Sequence, residues 1–181
     1  MNGYPSPLNP YLFNGDFVDW GSFSVECMTT LLMWKATFPN SMYLTWGNHE
    51  SKNMNKMYGF EGEVIKKYSV PFYNFFSDLF QKLPISFLIN EKVLVMHGGL
   101  FSKDGVRIDD IRKINRFWEP GEEGIMCEAL WSDPCDQDGW FPSKRGVGIM
   151  FGPDISAWFC EENSLKYVVR SHEVKNEGYE F

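Results

Sequence analysis

The chain has 181 residues, 44% of them hydrophobic and 17% aromatic, with a formal net charge of -7. That composition can bury a core and excludes an intrinsically disordered chain. The acidic balance excludes a nucleic-acid binder working by phosphate neutralisation, and no apolar run approaches the ~20 residues of a helical membrane span.

Residues 1–10 are rich in Pro and Asn and read as loop. Tyr11-Leu12-Phe13 is a short apolar strand that breaks at Asn14-Gly15 and delivers two carboxylates, Asp16 and Asp19. From Ser22 to Phe38, Val25, Met28, Leu32 and Ala36 recur at helical spacing, and Pro39-Asn40 ends the helix. Met42-Tyr43-Leu44 forms a second strand that breaks into Gly47-Asn48-His49-Glu50. Glu61 to Leu83 reads as a helix interrupted near Pro71. The runs "ISFLI" and "KVLVM" flank Asn90-Glu91 as a hairpin and lead into His97-Gly98-Gly99. Ser102 to Pro153, rich in Gly, Pro and Asp, is predicted as long loops with one short helix near Asp109 to Arg112. A helix around Ser156 to Glu162 precedes "LKYVV", which runs into Arg170-Ser171-His172. No repeat or linker interrupts the chain, so one continuous α/β unit is expected. Cys27, Cys127, Cys135 and Cys160 lack CxxC spacing, which predicts free thiols in a reducing compartment, the cytoplasm or the nucleus.

Four strand-like runs thus each stop abruptly and hand over a metal-ligand type, and all three histidines fall at such ends. In open α/β sheets, sites form beyond the carboxyl ends of strands. Asp16, Asn48, His97 and His172 offer a carboxylate, an amide carbonyl and two imidazoles, a mixed set that suits Mn, Fe or Zn rather than Ca. A carboxylate such as Asp16 can also bridge two metals about 3.5–4 Å apart. His49 adjoins Asn48, and with Asp19 it makes an Asp–His pair whose protonated imidazole is a competent general acid. Each residue alone has a plainer reading. Asp16 is a turn former, Asp19 a cap for the following helix, His97 a hydrogen-bonded core histidine, Arg145 a surface charge, and Glu50 and Glu173 partners for neighbouring groups. Co-occurrence at four strand ends is what favours a site.

The motifs "GDFVDWG" (15–21), "GNHE" (47–50), "HGGL" (97–100), "WSDP" (131–134), "SKRGVG" (143–148) and "RSHEVKNEGYE" (170–180) follow one another along the chain. On these it resembles, over nearly its whole length, the metal-dependent serine/threonine phosphoprotein phosphatases of the calcineurin-like metallophosphoesterase fold. "NPYLFNGDFVD" and "NMNKMYGFEGEV" point to one branch of that family. The resemblance implies an α/β fold, a metallophosphoesterase β-sandwich flanked by helices. It implies Asp16 as the metal-bridging carboxylate, with Asn48, His97 and His172 completing one metal site, and Asn48 and Arg145 contacting substrate. His49 becomes the general acid, Asp19 its orienting carboxylate, and Arg145 a bidentate phosphate clamp. The implied reaction is hydrolysis of phosphoserine and phosphothreonine in proteins by metal-activated hydroxide, with two divalent ions (Mn, Fe or Zn) as cofactors. The implied partners are phosphoprotein substrates, met by a monomer, with neither nucleic acid nor membrane involved.

The sequence departs from the family pattern in two respects. The opening box GDxHG, which serves the other metal, has no counterpart, so residues 1–181 are expected to be a partial catalytic domain, incomplete at both ends, with one complete metal site. The family's final strands, a late active-site tyrosine and the branch's tetratricopeptide module are likewise expected to lie outside it. Second, Trp20 stands where the pattern has arginine, Trp46 replaces the arginine before GNHE, and Trp118 and Trp140 occupy places that suit arginine. Codons for these two residues can differ by one base, and a shared misreading is the corresponding expectation. A rival of another class is a catalytically impaired pseudophosphatase that binds phosphoproteins through Arg145 and one metal. Open sheet edges predict, further, a chain that does not fold alone. A small-molecule phosphodiesterase would share the Asp and GNH logic, but the match through "SKRGVG" and "SHEVKNEGYE" favours protein substrates.

Overall fold

The computed structural model describes residues 2–181; Met1, the first residue of the predicted opening loop, lies outside them. The chain gathers into two compact units, Met1–Pro84 and Ile85–Phe181.

In the first unit, β1 (Tyr11–Phe13) is followed by α1 (Ser24–Thr37) and β2 (Met42–Leu44). The strands pair in parallel, Tyr11 against Met42 and Phe13 against Leu44, and parallel neighbours need a crossover, which α1 supplies. Of the predicted apolar face, Val25 and Met28 are buried, Leu32 is half-buried and Ala36 is exposed. The N-terminus of α1 takes no cap from the residue before it, and Asp19 does not cap it either. Glu63 does so instead, accepting from Ser24 N at 3.3 Å and Val25 N at 2.9 Å, where a negative charge meets the positive end of the helix dipole.

Next come α2 (Lys52–Tyr58), α3 (Phe60–Lys67) and α4 (Val70–Phe80). The sequence reading missed α2 because its seven residues are too few to set Met54, Met57 and Tyr58 apart as a helical face, and the helix buries only the polar Asn55. The predicted long helix does break, but at Tyr68-Ser69: the Ser69 hydroxyl accepts from Phe72 N at 3.3 Å as an N-cap. Pro71 therefore lies in the first turn of α4, where its missing N–H costs nothing, and it starts a helix rather than interrupting one. Phe60 fills the space between α3 and α4, its ring 5.4 Å from Phe76, 5.8 Å from Phe80 and 6.4 Å from Tyr73.

The second unit runs β3 (Ser86–Ile89), β4 (Val93–Met96), α5 (Ile108–Arg112), α6 (Ile125–Trp131), β5 (Asp133–Pro134), β6 (Trp140–Pro142), β7 (Ile149–Phe151), α7 (Pro153–Glu162) and β8 (Tyr167–Val169). The predicted hairpin is present. Asn90 and Glu91 both take positive φ, 49° and 56°, as a type I′ turn requires. One sheet has the order β3-β4-β8, with β4 and β8 parallel and Val95 opposite Val169; the other has the order β5-β7-β6. The stretch expected to be mostly loop thus contains α6 and three strands. The strands are two or three residues long, too short to display alternation. Helix α6 buries Met126 to Leu130 without a gap, so it has no polar face to reveal its period. Glu128 is tolerated there because its carboxylate accepts from Ser102 N and Ser102 Oγ. Among the described residues, no helix is long and apolar enough to cross a membrane.

Phe60→Ala is expected to cost about 3–5 kcal/mol, read from the denaturant midpoint, because the cavity lies among rings that cannot collapse into it. Burial pushes the Cys127 thiol up to about 11. An unfolded thiol ionises near its ordinary value while the folded one stays protonated. This group's contribution to stability is therefore complete below about pH 9 and falls as pH rises toward 11. Denaturant melts at stepped alkaline pH should show Cys127→Ala with a flatter decline than the parent chain.

Candidate active site

In the first unit the carboxyl ends of β1 and β2 share one edge, and the loops leaving them carry Asp16 and Asp19, and Asn48 and His49. Asp16 and Asp19 both adopt left-handed backbone, φ 57° and 72°, a conformation that Asp tolerates better than most residues and that concentrates at functional sites. Gly47 is what lets the two loops close, since a Cβ there would lie 2.3 Å from Asp16 N.

Glu50 joins the loops. Fully buried, its carboxylate accepts from Asp16 N and Gly47 N, each at 2.9 Å, and from Phe17 N at 2.7 Å. Burial, and then the charge of Asp16, push this carboxyl well above the usual range, while the three N–H groups pull the other way. Trp46 is also fully buried, and its Nε1 donates to Glu50 O at 2.7 Å. A tryptophan at this position is thus a core side chain with its polar atom satisfied. Trp118 and Trp140 are exposed, and nothing in the described residues explains them.

His49 is 5% exposed, and its Nδ1 lies 3.0 Å from Asp19 Oδ2. The other Asp19 oxygen accepts from Phe60 N at 2.9 Å, so the carboxylate is fixed at both ends and anchors the first turn of α3. A carboxylate on Nδ1 holds the proton there and stabilises the imidazolium, which leaves Nε2 for chemistry. Asn55 Nδ2 donates to His49 O at 2.6 Å, and His49 N donates to Asp16 Oδ1 at 3.3 Å. Asn48 is 2% exposed. The first unit therefore brings together Asp16, Asp19, Asn48 and His49.

In the second unit β4 and β8 are parallel, so the residues that follow them, His97 and His172, leave from the same edge. His97 Nε2 and His172 Nδ1 approach to 3.2 Å, and the Trp131 ring stands edge-on to His172 at 5.6 Å. His97 is buried, its Nδ1 lies 3.4 Å from Ser171 Oγ and its Nε2 faces the second imidazole, and two converging ring nitrogens are the donor chemistry a borderline divalent cation takes. A Cβ on Gly98 would lie 2.4 Å from the Leu130 carbonyl carbon, so the turn after His97 seats directly on α6.

Arg145, between β6 and β7, is held by Asp133, with Nε 2.6 Å from Oδ2. The second Asp133 oxygen takes Arg170 NH2 at 2.6 Å, and Arg170 Nε donates to Gly98 O at 2.8 Å. Arg145 is therefore part of an ordered network, with NH2 directed at His172 O at 3.5 Å, and not a bare surface charge in a loose loop. Glu173 pairs with Arg170 NH1. The sequence reading missed how Glu50, Asp133 and Arg170 act. Their signal was membership of GNHE, WSDP and RSHE, which places them but names none of their partners.

The chain belongs to the calcineurin-like phosphoesterase family, which it matches over residues 1–176. It is similar to the Serine/threonine-protein phosphatase 5 of Solanum lycopersicum, 61% identical over 99% of this chain and 32% of that protein. The protein of the same name from Homo sapiens is 58% identical over 99% of this chain and 36% of its own length. A solved protein serine/threonine phosphatase from Saccharomyces cerevisiae, described as similar to human phosphatase PP5, superposes with a TM-score of 0.93 at 46% identity, covering 96% of this chain and 54% of that one. The fold is the mixed α/β metallophosphoesterase fold that the motifs imply, and the relatives carry the branch name. The chain spans about a third of the length of these curated relatives.

Replacing Glu50 by Ala strands three buried N–H groups, and the expected loss is about 3 kcal/mol or more in chemical denaturation. Glu50→Gln should lose less, because an amide oxygen can keep two of the three.

Proposed function

We propose that this chain is the catalytic part of a protein serine/threonine phosphatase, hydrolysing phosphoserine and phosphothreonine esters in proteins. The observation that carries this reading is the His49–Asp19 pair, a nearly buried imidazole fixed by a carboxylate beside Asn48. Asp16, Asn48, His97 and His172 would hold the metal. Their carboxylate, amide and imidazole donors fit Mn, Fe or Zn, and the convergence of His97 and His172 supports that set. A divalent ion held there would supply Lewis-acid polarisation of the phosphoryl group and make a water acidic enough to attack it.

The protein's own groups do the rest. Asp19 holds His49 so that Nε2 presents a proton to the departing serine or threonine oxygen, which would otherwise leave as a costly alkoxide. Arg145, gripped by Asp133 at Nε, keeps its outer guanidinium edge for phosphoryl oxygens. A reducing compartment, cytoplasm or nucleus, and a monomer acting on phosphoproteins complete the proposal. Four free cysteines are consistent with that compartment.

Trp20 favours one rival. It is 68% exposed where the family pattern has arginine, and it cannot give phosphate a cationic fork. On that reading the chain binds phosphoproteins with little turnover.

With Mn²⁺ added, a phosphoserine peptide should be hydrolysed. His49→Asn should lower kcat about 10²–10⁴-fold with little change in peptide affinity, and chelation should abolish turnover. Binding without hydrolysis by the parent chain would instead establish the rival.

A further inference from the structure

Beside His49 stand two exposed aromatic rings. The Trp20 centroid lies 5.0 Å from the imidazole and the Tyr58 centroid 4.8 Å, and the two residues are 68% and 54% exposed. Trp20 is not loosely placed, because it sits between Asp19 and Gly21, whose φ values are 72° and 115°, and Asp19 is pinned by His49 and Phe60. A general acid must touch the oxygen that departs. Whatever is bonded to that oxygen therefore lies within reach of the rings that flank the acid. A seryl leaving group offers them a single methylene, whereas an aryl leaving group offers a π face at stacking distance.

We propose that Trp20 is a specificity-determining residue that turns this site toward phosphomonoesters with an aromatic leaving group, phosphotyrosyl or small aryl phosphates, in addition to seryl esters. This rests on the proposed phosphatase reading, with His49 as the acid. In the step, the water oxygen bonds to phosphorus and the bond from phosphorus to the aryl oxygen breaks. The proton on His49 Nε2 passes to the departing phenolate, giving a phenol and inorganic phosphate. Where an arginine would bind the phosphoryl group, Trp20 moves binding energy onto the leaving group. A phenol, with a pKa of about 10, also departs with less help than an alkoxide, so the missing cationic fork costs an aryl ester less.

The test titrates the Mn²⁺-loaded chain calorimetrically with phenylphosphonate and methylphosphonate, neither of which can be hydrolysed. The parent chain should bind the phenyl compound about fivefold tighter. Trp20→Ala should erase the preference, and Trp20→Phe should restore most of it. Equal affinities in the parent chain, or a preference that survives in Trp20→Ala, would overturn the proposal. If neither phosphonate binds, the phosphatase reading falls and takes this one with it. A peptide bearing phosphonomethyl-phenylalanine separates the two sources of aryl ester. Binding tighter than phenylphosphonate points to a protein-borne tyrosyl phosphate, and weaker binding to small aryl phosphates.

Discussion

The carboxylate of Glu50 governs the geometry of the first unit. Two loops leave parallel strands with their backbone N–H groups pointing inward, and buried N–H groups must find acceptors. One fully buried side chain satisfies Asp16, Phe17 and Gly47 together, and by doing so sets the distance between the loop that carries the aspartates and the loop that carries Asn48 and His49. Gly47 is forced by the same closeness, and Trp46 supports it from behind by donating to Glu50 O. Burial and the charge of Asp16 favour a neutral carboxyl, three donors favour a charged one, and the balance lies on the raised side.

A comparable economy operates in the second unit, where one carboxylate, Asp133, holds both Arg145 and Arg170. Arg170 in turn ties the end of β8 to Gly98, directly after His97. The paired histidines are therefore positioned by main-chain and guanidinium contacts as well as by strand register. Positioning of this kind is what a metal site needs around its ligands, since imidazole orientation depends on the groups behind it.

Tryptophan in places that suit arginine has no single consequence. Trp46 lies in the core and its hydrogen bond belongs to the scaffold, whereas Trp20 faces solvent beside His49. The same sequence departure therefore belongs to the core at one position and to the exposed surface beside His49 at the other. Trp118 and Trp140 are simply exposed.

The family, the strand-end placement of Asp16, Asn48, His97 and His172, the hairpin at Asn90-Glu91, and α1 to within two residues are all legible from the residues alone. Each of these is written locally, in a motif, a turn pair or an apolar period. The sequence could not reveal α6, whose buried residues show no period, or α2, which is too short for its apolar residues to mark a face. Nor could it tell that Pro71 opens a helix, because a serine two residues earlier decides that by its hydroxyl. It took the folded chain to show that Asp19 serves His49 and α3 rather than α1, that Glu63 caps α1 from 38 or 39 residues away, and that Glu50 joins two loops. A hydrogen bond depends on where the chain returns to itself, and that distance through space is not encoded in the neighbours of any one residue.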